Sequence, residues 1–532
     1  MQKLTNIKPT RVIFLIGIIY FFLIFFNPIK GVQFGDFGLM FIQVDDIVKS
    51  GYSTFSVQYK GEKVDSEYKF FPFKKPFLGK VGEKYYIDFP PYFPLLNSPF
   101  YQVLGVDGLY LLNFLSLLLT LFLLYKLGKL YELENSFINL SLFLYSFGMT
   151  ATTYNLVFHE YPLAVFWITA GFYFASAYYK TGRNYSLILF GFFGAVSLYF
   201  RLEMVFVILA CGLGLVFVYP KKFFKIGIYS LLGFIFPFIY LLYLNFDIHG
   251  HPLGLRFALT LTDESSVGFL GRIAIIRDML FSNTRGFFPQ SPFVLVFLIG
   301  FYFVKDKLKK ERFLFIILMI GFVLVLFTSP NHGDHRAPRY LFGLYPIFSL
   351  VSVLIISQVQ KYFEEFRDSK EYLGKVIQSI ISILILASFY STFQNYQWMQ
   401  RAGKNVAMFN AELKKGSDKD TPILFRDYAQ PLNTQVLYTE QMLFVVEELA
   451  EMKNLLLKLS AQGSKRAIVS QLFPTELGNE NRLAIEDEYK KQFQLIAKNG
   501  DFYFQDSKMH LQFNWIDLGK KQNFLILNIF LQ

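Results

Sequence analysis

The sequence predicts an all-α polytopic membrane domain of about eleven transmembrane helices, followed by a C-terminal soluble α/β domain. Three observations predict it. Of 532 residues, 53% are hydrophobic and only 17% charged, against roughly 25% charged in soluble domains, so lipid replaces water over much of the surface. Apolar runs close to the roughly 17–25 residues needed to cross a bilayer recur as far as residue 393. Beyond it that recurrence stops, and shorter strand-like and helix-like patterns take over.

The runs cover 12–28, 103–125, 137–156, 162–179, 185–200, 203–219, 226–245, 288–304, 313–329, 340–357 and 376–393. The first follows Lys3, Lys8 and Arg11 and ends at Asn27-Pro28-Ile29-Lys30 with no small-residue cleavage site. It therefore reads as an uncleaved first span and not as a signal peptide. Arg201 and Glu203 interrupt the pattern between the fifth and sixth runs; a charge pair at mid-bilayer is costly, which puts them in a tight turn between two spans. The 66 Phe and 34 Tyr suit lipid-facing and interfacial positions respectively.

A net charge of +12 would suggest nucleic acid in a soluble protein. Here Lys and Arg concentrate in alternate short loops, which sets orientation instead. With the N-terminus inside, the inner loops hold Lys126 and Lys129, Lys180 and Arg183, Lys221, Lys222 and Lys225, the 305–312 cluster, and Lys361 to Lys375. The expected arrangement is a multi-pass protein of the cell (inner or plasma) membrane, N-terminus cytoplasmic and tail extracytoplasmic. All six histidines then fall on the outer side, together with Asp36, Glu160, Arg201, Glu203, Asp334, Arg336 and Arg339. Any chemistry belongs to that face. The single cysteine, Cys211, excludes a disulfide framework or a cysteine zinc site within one chain.

The expected domains are a membrane domain, 1–393, containing a large first outer loop at 29–102, and an extracytoplasmic α/β domain, 394–532. The loop opens with Leu39 to Val48, whose apolar positions predict a surface-lying amphipathic helix. In the tail, Thr421 to Tyr428 reads as a strand, Thr439 to Ser460 as a helix, and Arg466 to Phe473 and Gln494 to Phe504 as further strands.

Asp36 stands just after the first span, where partial desolvation suits a general base. The alternative is an N-cap that satisfies free backbone N–H groups of the following helix. Pro330 to Tyr340 carries His332, Asp334, His335, Arg336 and Arg339 above a late span. Arg336 and Arg339 suit a phosphate through the planar guanidinium fork, with interfacial anchoring by Arg and Tyr340 as the alternative. His159-Glu160-Tyr161-Pro162 and Arg201-x-Glu203 lie at turns between spans, where they contact a substrate or pair with each other to satisfy buried charge. His332-x-x-His335 with Asp334, and His249-x-His251, are weak metal patterns, so no cofactor is expected; a divalent metal is compatible but not indicated. Asp418-Lys419-Asp420 has the form of a nucleotide-sugar motif but sits in a polar segment that reads as a solvated turn.

Gly35-Asp36-Phe37 through Ile47-Val48 to Ser50-Gly51 resembles the first outer loop of the GT-C superfamily of polyprenyl-phosphate-sugar-dependent membrane glycosyltransferases. Protein O-mannosyltransferases and lipid A aminoarabinose transferases are of this type. The family pattern is an Asp, usually followed by Glu, then an amphipathic helix closing in Leu-x-Ser/Thr-Gly or similar; Phe37 stands where Glu is frequent. The resemblance extends to the topology, to Arg339-Tyr340-Leu341 with Pro346 following, and to the soluble tail. It implies an inverting transfer of a sugar from a polyprenyl-phosphate donor to a glycan, lipid or protein acceptor at the outer face. Asp36 would be the base, and Arg339, Arg336, His159, Glu160, Arg201, Glu203 and Tyr340 would line the substrates. The rival readings are a surface-polysaccharide polymerase or ligase, and a lipid-linked sugar transporter or flippase. Transporters place ionisable residues inside spans, whereas here they collect at span ends.

Overall fold

The computed structural model describes residues 7–27, 31, 35–261, 268–304, 309, 311–329, 338–415, 417–473, 477–492, 496–498, 501–504, 507–517 and 523–531. In chain order the first elements are α1 (Pro9–Phe25), α2 (Gly35–Lys49), the hairpin β1 (Leu78–Val81) and β2 (Lys84–Ile87), α3 (Tyr92–Leu104), α4 (Val106–Leu130), α5 (Asn135–Phe147) and α6 (Ala151–Asn155). Next come α7 (Tyr161–Thr181), α8 (Tyr185–Ser197), α9 (Met204–Val218), α10 (Phe223–His249), α11 (Leu255–Leu261), α12 (Phe269–Phe281), α13 (Phe287–Gln290), α14 (Val296–Val304) and α15 (Arg312–Thr328). A 3₁₀ turn, Arg339–Leu344, leads into α16 (Tyr345–Glu365) and then α17 (Arg367–Lys415). The remainder is β3 (Ile423–Phe425), α18 (Gln435–Tyr438), β4 (Leu443–Val445), α19 (Leu449–Ala461), β5 (Arg466–Phe473), α20 (Asn479–Gln492), β6 (Ile496–Lys498), β7 (Asp501–Phe504), β8 (Ser507–Asp517) and β9 (Asn523–Leu531).

These elements form two compact units, one of residues 1–30 and 100–399, the other of residues 31–99 and 400–532. The first unit is helical, and the described residues of the apolar runs read from the sequence fall mainly on helix. Among the described residues, four helices are long and apolar enough to cross a membrane by length and composition: Val106–Leu130, Pro220–His249, Arg339–Glu365 and Glu371–Lys415. Shorter apolar helices are Pro9–Phe25, Asn184–Ser197, Met204–Val218, Pro292–Val304 and Arg312–Thr328. The 137–156 run is not one helix. It breaks after Phe147 into α5 and the short α6, and Thr152 Oγ1 turns back to the Met149 carbonyl at 3.1 Å.

Helix ends follow local chemistry. Gly182 (φ 70°) and Gly250 (φ 68°) close α7 and α10 in the left-handed conformation, and Pro162 and Pro346 sit at the starts of α7 and α16, where a missing N–H costs nothing. The α8–α10 crossing brings backbones together. A Cβ on Gly191 would stand 1.9 Å from the Ser230 carbonyl oxygen, and one on Gly233 1.8 Å from that of Ile188. Small residues permit that approach, which replaces the hydrophobic drive that is weak between helices in lipid.

The second unit is built on a seven-stranded sheet of order β4-β3-β5-β9-β8-β7-β6. Strand β3 pairs parallel with β4 and β5, and the remaining pairs are antiparallel. Helix α19 buries Met452, Leu455, Leu456 and Leu459, one face at helical spacing. The sequence expectation of a helix from Thr439 is corrected: Leu443-Phe444-Val445 is a fully buried strand in register with Ile423-Leu424-Phe425, and the helix begins at Leu449. A run of aromatic and β-branched residues favours the strand.

The first outer loop shares this unit. The Val445 amide donates to the Phe70 carbonyl (2.9 Å), Tyr438 Oη to the Gln58 carbonyl (2.9 Å) and Gln462 Nε2 to the Lys63 carbonyl (2.9 Å). Lys69 pairs with Glu451 at 2.6 Å. Every residue of α2 from Asp36 to Ile47 is buried, so the helix has no open face of the surface-lying kind that its apolar spacing predicts.

Candidate active site

Asp36 is buried in the first turn of α2. A carboxylate there gains from the positive end of the helix dipole. Gln435 Nε2 donates to the Gly35 carbonyl at 3.1 Å, so α18 holds the start of the helix. The other end of α2 carries two further buried acids that the sequence reading did not single out. Asp45 pairs with Lys49 at 2.5 Å, and Asp46 accepts the Gln58 amide at 3.1 Å. Burial pushes the Asp46 carboxyl up to about 8, against the opposing effect of that hydrogen bond. Lys49 and Lys60 both donate to the Thr439 carbonyl, at 2.9 and 2.8 Å.

In the first unit, separate turns converge on one buried cluster. Asn113 Nδ2 of α4 donates to the Val157 carbonyl at 2.6 Å and fixes the loop that delivers His159 and Glu160 to the start of α7. Arg201 and Glu203 come from the turn between α8 and α9. Arg201, 3% exposed, donates from Nη1 to Glu160 Oε1 and from Nε to Glu203 Oε1, both at 2.9 Å, and from Nη2 to Tyr161 Oη. Its guanidinium carbon lies 4.2 Å from the Tyr161 ring centre. Tyr161 Oη in turn donates to Glu203 Oε1 at 2.6 Å.

His159 Nδ1 has two neighbours, Glu160 Oε2 at 2.8 Å and the Tyr161 amide at 3.3 Å. An unprotonated nitrogen would repel a carboxylate oxygen at the shorter distance, so Nδ1 carries a proton and donates to Glu160. Burial alone would raise the Glu160 carboxyl; the charges of His159 and Arg201 outweigh it and hold the group at about 2. Arg256 of α11 adds positive charge within electrostatic reach of Glu203.

Arg339 opens the 339–344 turn, is buried, and lies with its guanidinium carbon 5.5 Å from the Tyr340 ring centre. Both Arg339 and Tyr340 lie within electrostatic reach of Tyr161. The turn locks onto the cluster through Phe342, whose ring centre is 4.6 Å from Tyr154, 5.1 Å from Tyr161 and 4.8 Å from Tyr345. A Cβ on Gly343 would stand 2.8 Å from Met204 Sδ, so the turn seats directly on the start of α9.

The structure thus brings together Arg339, Tyr340, His159, Glu160, Arg201 and Glu203. Arg336, with His332, Asp334 and His335, lies outside the described residues. Sequence reasoning missed Tyr161 as the hub; its adjacency to Glu160 was the available signal. Among the described residues, no group of three or more His, Cys, Asp or Glu forms a cluster able to hold a metal. Asp418 to Asp420 is an exposed turn, closed by Thr421 N–H donating to the Asp418 carbonyl at 3.0 Å.

Residues 285–425, which include Arg339, match the family model of the Alg9-like mannosyltransferases. Comparison with curated protein sequences gives no match. Among solved structures, the chain is similar to ArnT from Cupriavidus metallidurans in the apo state, with TM-score 0.53 and 9% identity, covering 97% of both chains. The same enzyme bound to undecaprenyl phosphate gives TM-score 0.50 at 9% identity, again over 97% of both chains. The oligosaccharyltransferase AglB from Archaeoglobus fulgidus, in complex with an inhibitory peptide and a dolichol-phosphate, gives 0.52 at 11% identity, over 87% of this chain and 69% of that one. At these identities the likeness to ArnT and AglB is one of fold alone.

Proposed function

We propose that this chain is a membrane glycosyltransferase that moves a sugar from a polyprenyl-phosphate donor to an acceptor at the extracytoplasmic face of the cell membrane, a reading supported by its fold and by the match of residues 285–425 to the Alg9-like mannosyltransferases. A lipid-linked donor fits that side, where nucleotide sugars are absent. The similar structures with undecaprenyl phosphate and dolichol-phosphate support the same donor class. The observation that carries the reading is Arg339, a buried arginine at the start of the turn into α16, inside the segment matched to a mannosyltransferase family.

In this account Asp36 accepts the proton of the acceptor hydroxyl while its oxygen bonds to the anomeric carbon. The anomeric carbon–oxygen bond to the phosphate breaks, and the lipid phosphate leaves with the electron pair. Attack opposite the leaving group inverts the anomeric centre. Arg339, with Arg336, stabilises the charge on the leaving phosphate, as a fixed donor does best in a site with little water. Tyr340 supports the Arg339 guanidinium. Arg201, committed to Glu160, Glu203 and Tyr161, serves as scaffold, and His159 extends that scaffold through Glu160.

Replacing Arg339 with Lys keeps the charge and removes the two-pronged donor, at a cost of roughly 1.5–3 kcal/mol of phosphate interaction. Sugar transfer by Arg339→Lys should fall and partly recover at higher donor concentration. Unchanged donor dependence in both Arg339→Lys and Arg339→Ala reduces Arg339 to an interfacial anchor and removes the support for the reading.

A further inference from the structure

We infer that Tyr161 is a positioning residue that sets the location of Arg339 through the 339–344 turn. The inference rests on the reading of Arg339 as a phosphate ligand. It starts from the orientation of the Tyr161 phenol, which is fixed at both ends. The hydroxyl is shared by Arg201 and Glu203, and the guanidinium of Arg201 covers one ring face at 4.2 Å. His159 stacks with the same ring, centre to centre 4.9 Å with the planes 25° apart, and is tied by Nδ1 to Glu160. Such a ring cannot swing without breaking a buried ion network.

Phe342 meets Tyr161 edge-on, with 5.1 Å between ring centres and an interplanar angle of 70°. Edge-to-face contacts of this kind are directional, so the phenol, together with Tyr154 at 4.6 Å and Tyr345 at 4.8 Å, sets where Phe342 sits. Phe342 lies three residues after Arg339 in one 3₁₀ turn, where residues i and i+3 fall on the same side. Displacing Phe342 therefore displaces Arg339. Met204 Sδ stands 2.8 Å from where a Cβ on Gly343 would be, so the turn cannot compensate by moving toward α9. Phosphate binding by a two-pronged guanidinium depends on both distance and plane, which makes it sensitive to such a shift.

The test measures binding of undecaprenyl phosphate to the purified full-length protein, because this probe needs neither the sugar nor the acceptor. Tyr161→Phe keeps the ring and deletes the hydroxyl. It should weaken binding about 3- to 30-fold, the range expected for residues that act at one remove. Phe342→Leu leaves the ion network intact, should weaken binding to a similar extent, and carries the test where Tyr161→Phe folds poorly. In the Arg339→Lys background, whose own binding is weakened, adding Tyr161→Phe should change affinity by less than about twofold, because both substitutions remove the same interaction. Equal factors in the two backgrounds overturn the inference and leave the Arg339 reading standing. So does unchanged affinity of folded Phe342→Leu protein. Unchanged binding in Arg339→Lys and Arg339→Ala instead overturns the reading on which the inference rests.

Discussion

Replacing Arg201 with Met puts the buried ion network under direct strain. The guanidinium is nearly inaccessible and holds two carboxylates at 2.9 Å, Glu160 and Glu203, together with the Tyr161 hydroxyl. Methionine fills much of the volume but leaves Glu160 without its counter-charge at Oε1. Removing one member of a buried ion pair costs about 3–5 kcal/mol, because the partner charge stays desolvated. Against the raising effect of its burial, the Glu160 carboxyl is held at about 2 by His159 and Arg201 together, so losing Arg201 removes one of its two supporting charges. Glu160 has a depressed pKa in the folded state, so its contribution is present above about 4.5 and is lost as pH falls through about 2.

Denaturant unfolding in detergent at pH 7, followed by the signal of the helical unit, should show Arg201→Met destabilised by about 3 kcal/mol or more. Adding Glu160→Gln and Glu203→Gln should recover most of the loss, since neutral amides no longer need a cation. A change below about 1 kcal/mol in the single variant would show instead that the carboxylates find water or other partners when the arginine goes.

Asp46 makes the second unit sensitive to pH in the opposite sense. Its carboxyl is pushed up to about 8 when folded, so the stabilisation is complete below the unfolded value near 3.8 and is lost as pH rises through about 8, at about 1.4 kcal/mol per pH unit. Unfolding midpoints of Asp46→Asn should decline less than those of the wild type between pH 5 and 8; parallel curves contradict the assignment. A reporter active only outside the cytoplasm, fused after Gln532, should be active if the charge pattern of the loops sets orientation. Activity of a cytoplasm-only reporter there overturns the topology.

The helices of the first unit were legible because each buries an apolar run whose length and lack of charge are local properties. Glycines such as Gly191 and Gly233 were not legible as contact points, since the carbonyls they meet belong to other helices. In the tail, Leu443 to Val446 was hidden inside a longer pattern that also fits a helix, and only pairing with β3 decides it. The membership of residues 31–99 in the second unit rests on bonds such as Val445 N–H to the Phe70 carbonyl, which span hundreds of residues and leave no local mark. For the candidate site, the charged pairs at 159–160 and 201–203 stood out as polar breaks in apolar surroundings, and mutual pairing was one of the two readings. Tyr161 stood in the same motif, but its place as the hub did not show, because a tyrosine at a span end is what the interface alone would select.

The central claim is that this protein transfers a sugar with Asp36 as its base, and Asp36→Asn tests it most directly. Asparagine is nearly isosteric and keeps a polar side chain in the first turn of α2. Single-turnover transfer from a polyprenyl-phosphate sugar, measured at matched expression, should fall by about 10²–10⁴-fold, with undecaprenyl phosphate binding retained. Near-normal transfer by the Asn variant would contradict the account and return Asp36 to stabilising the start of its helix.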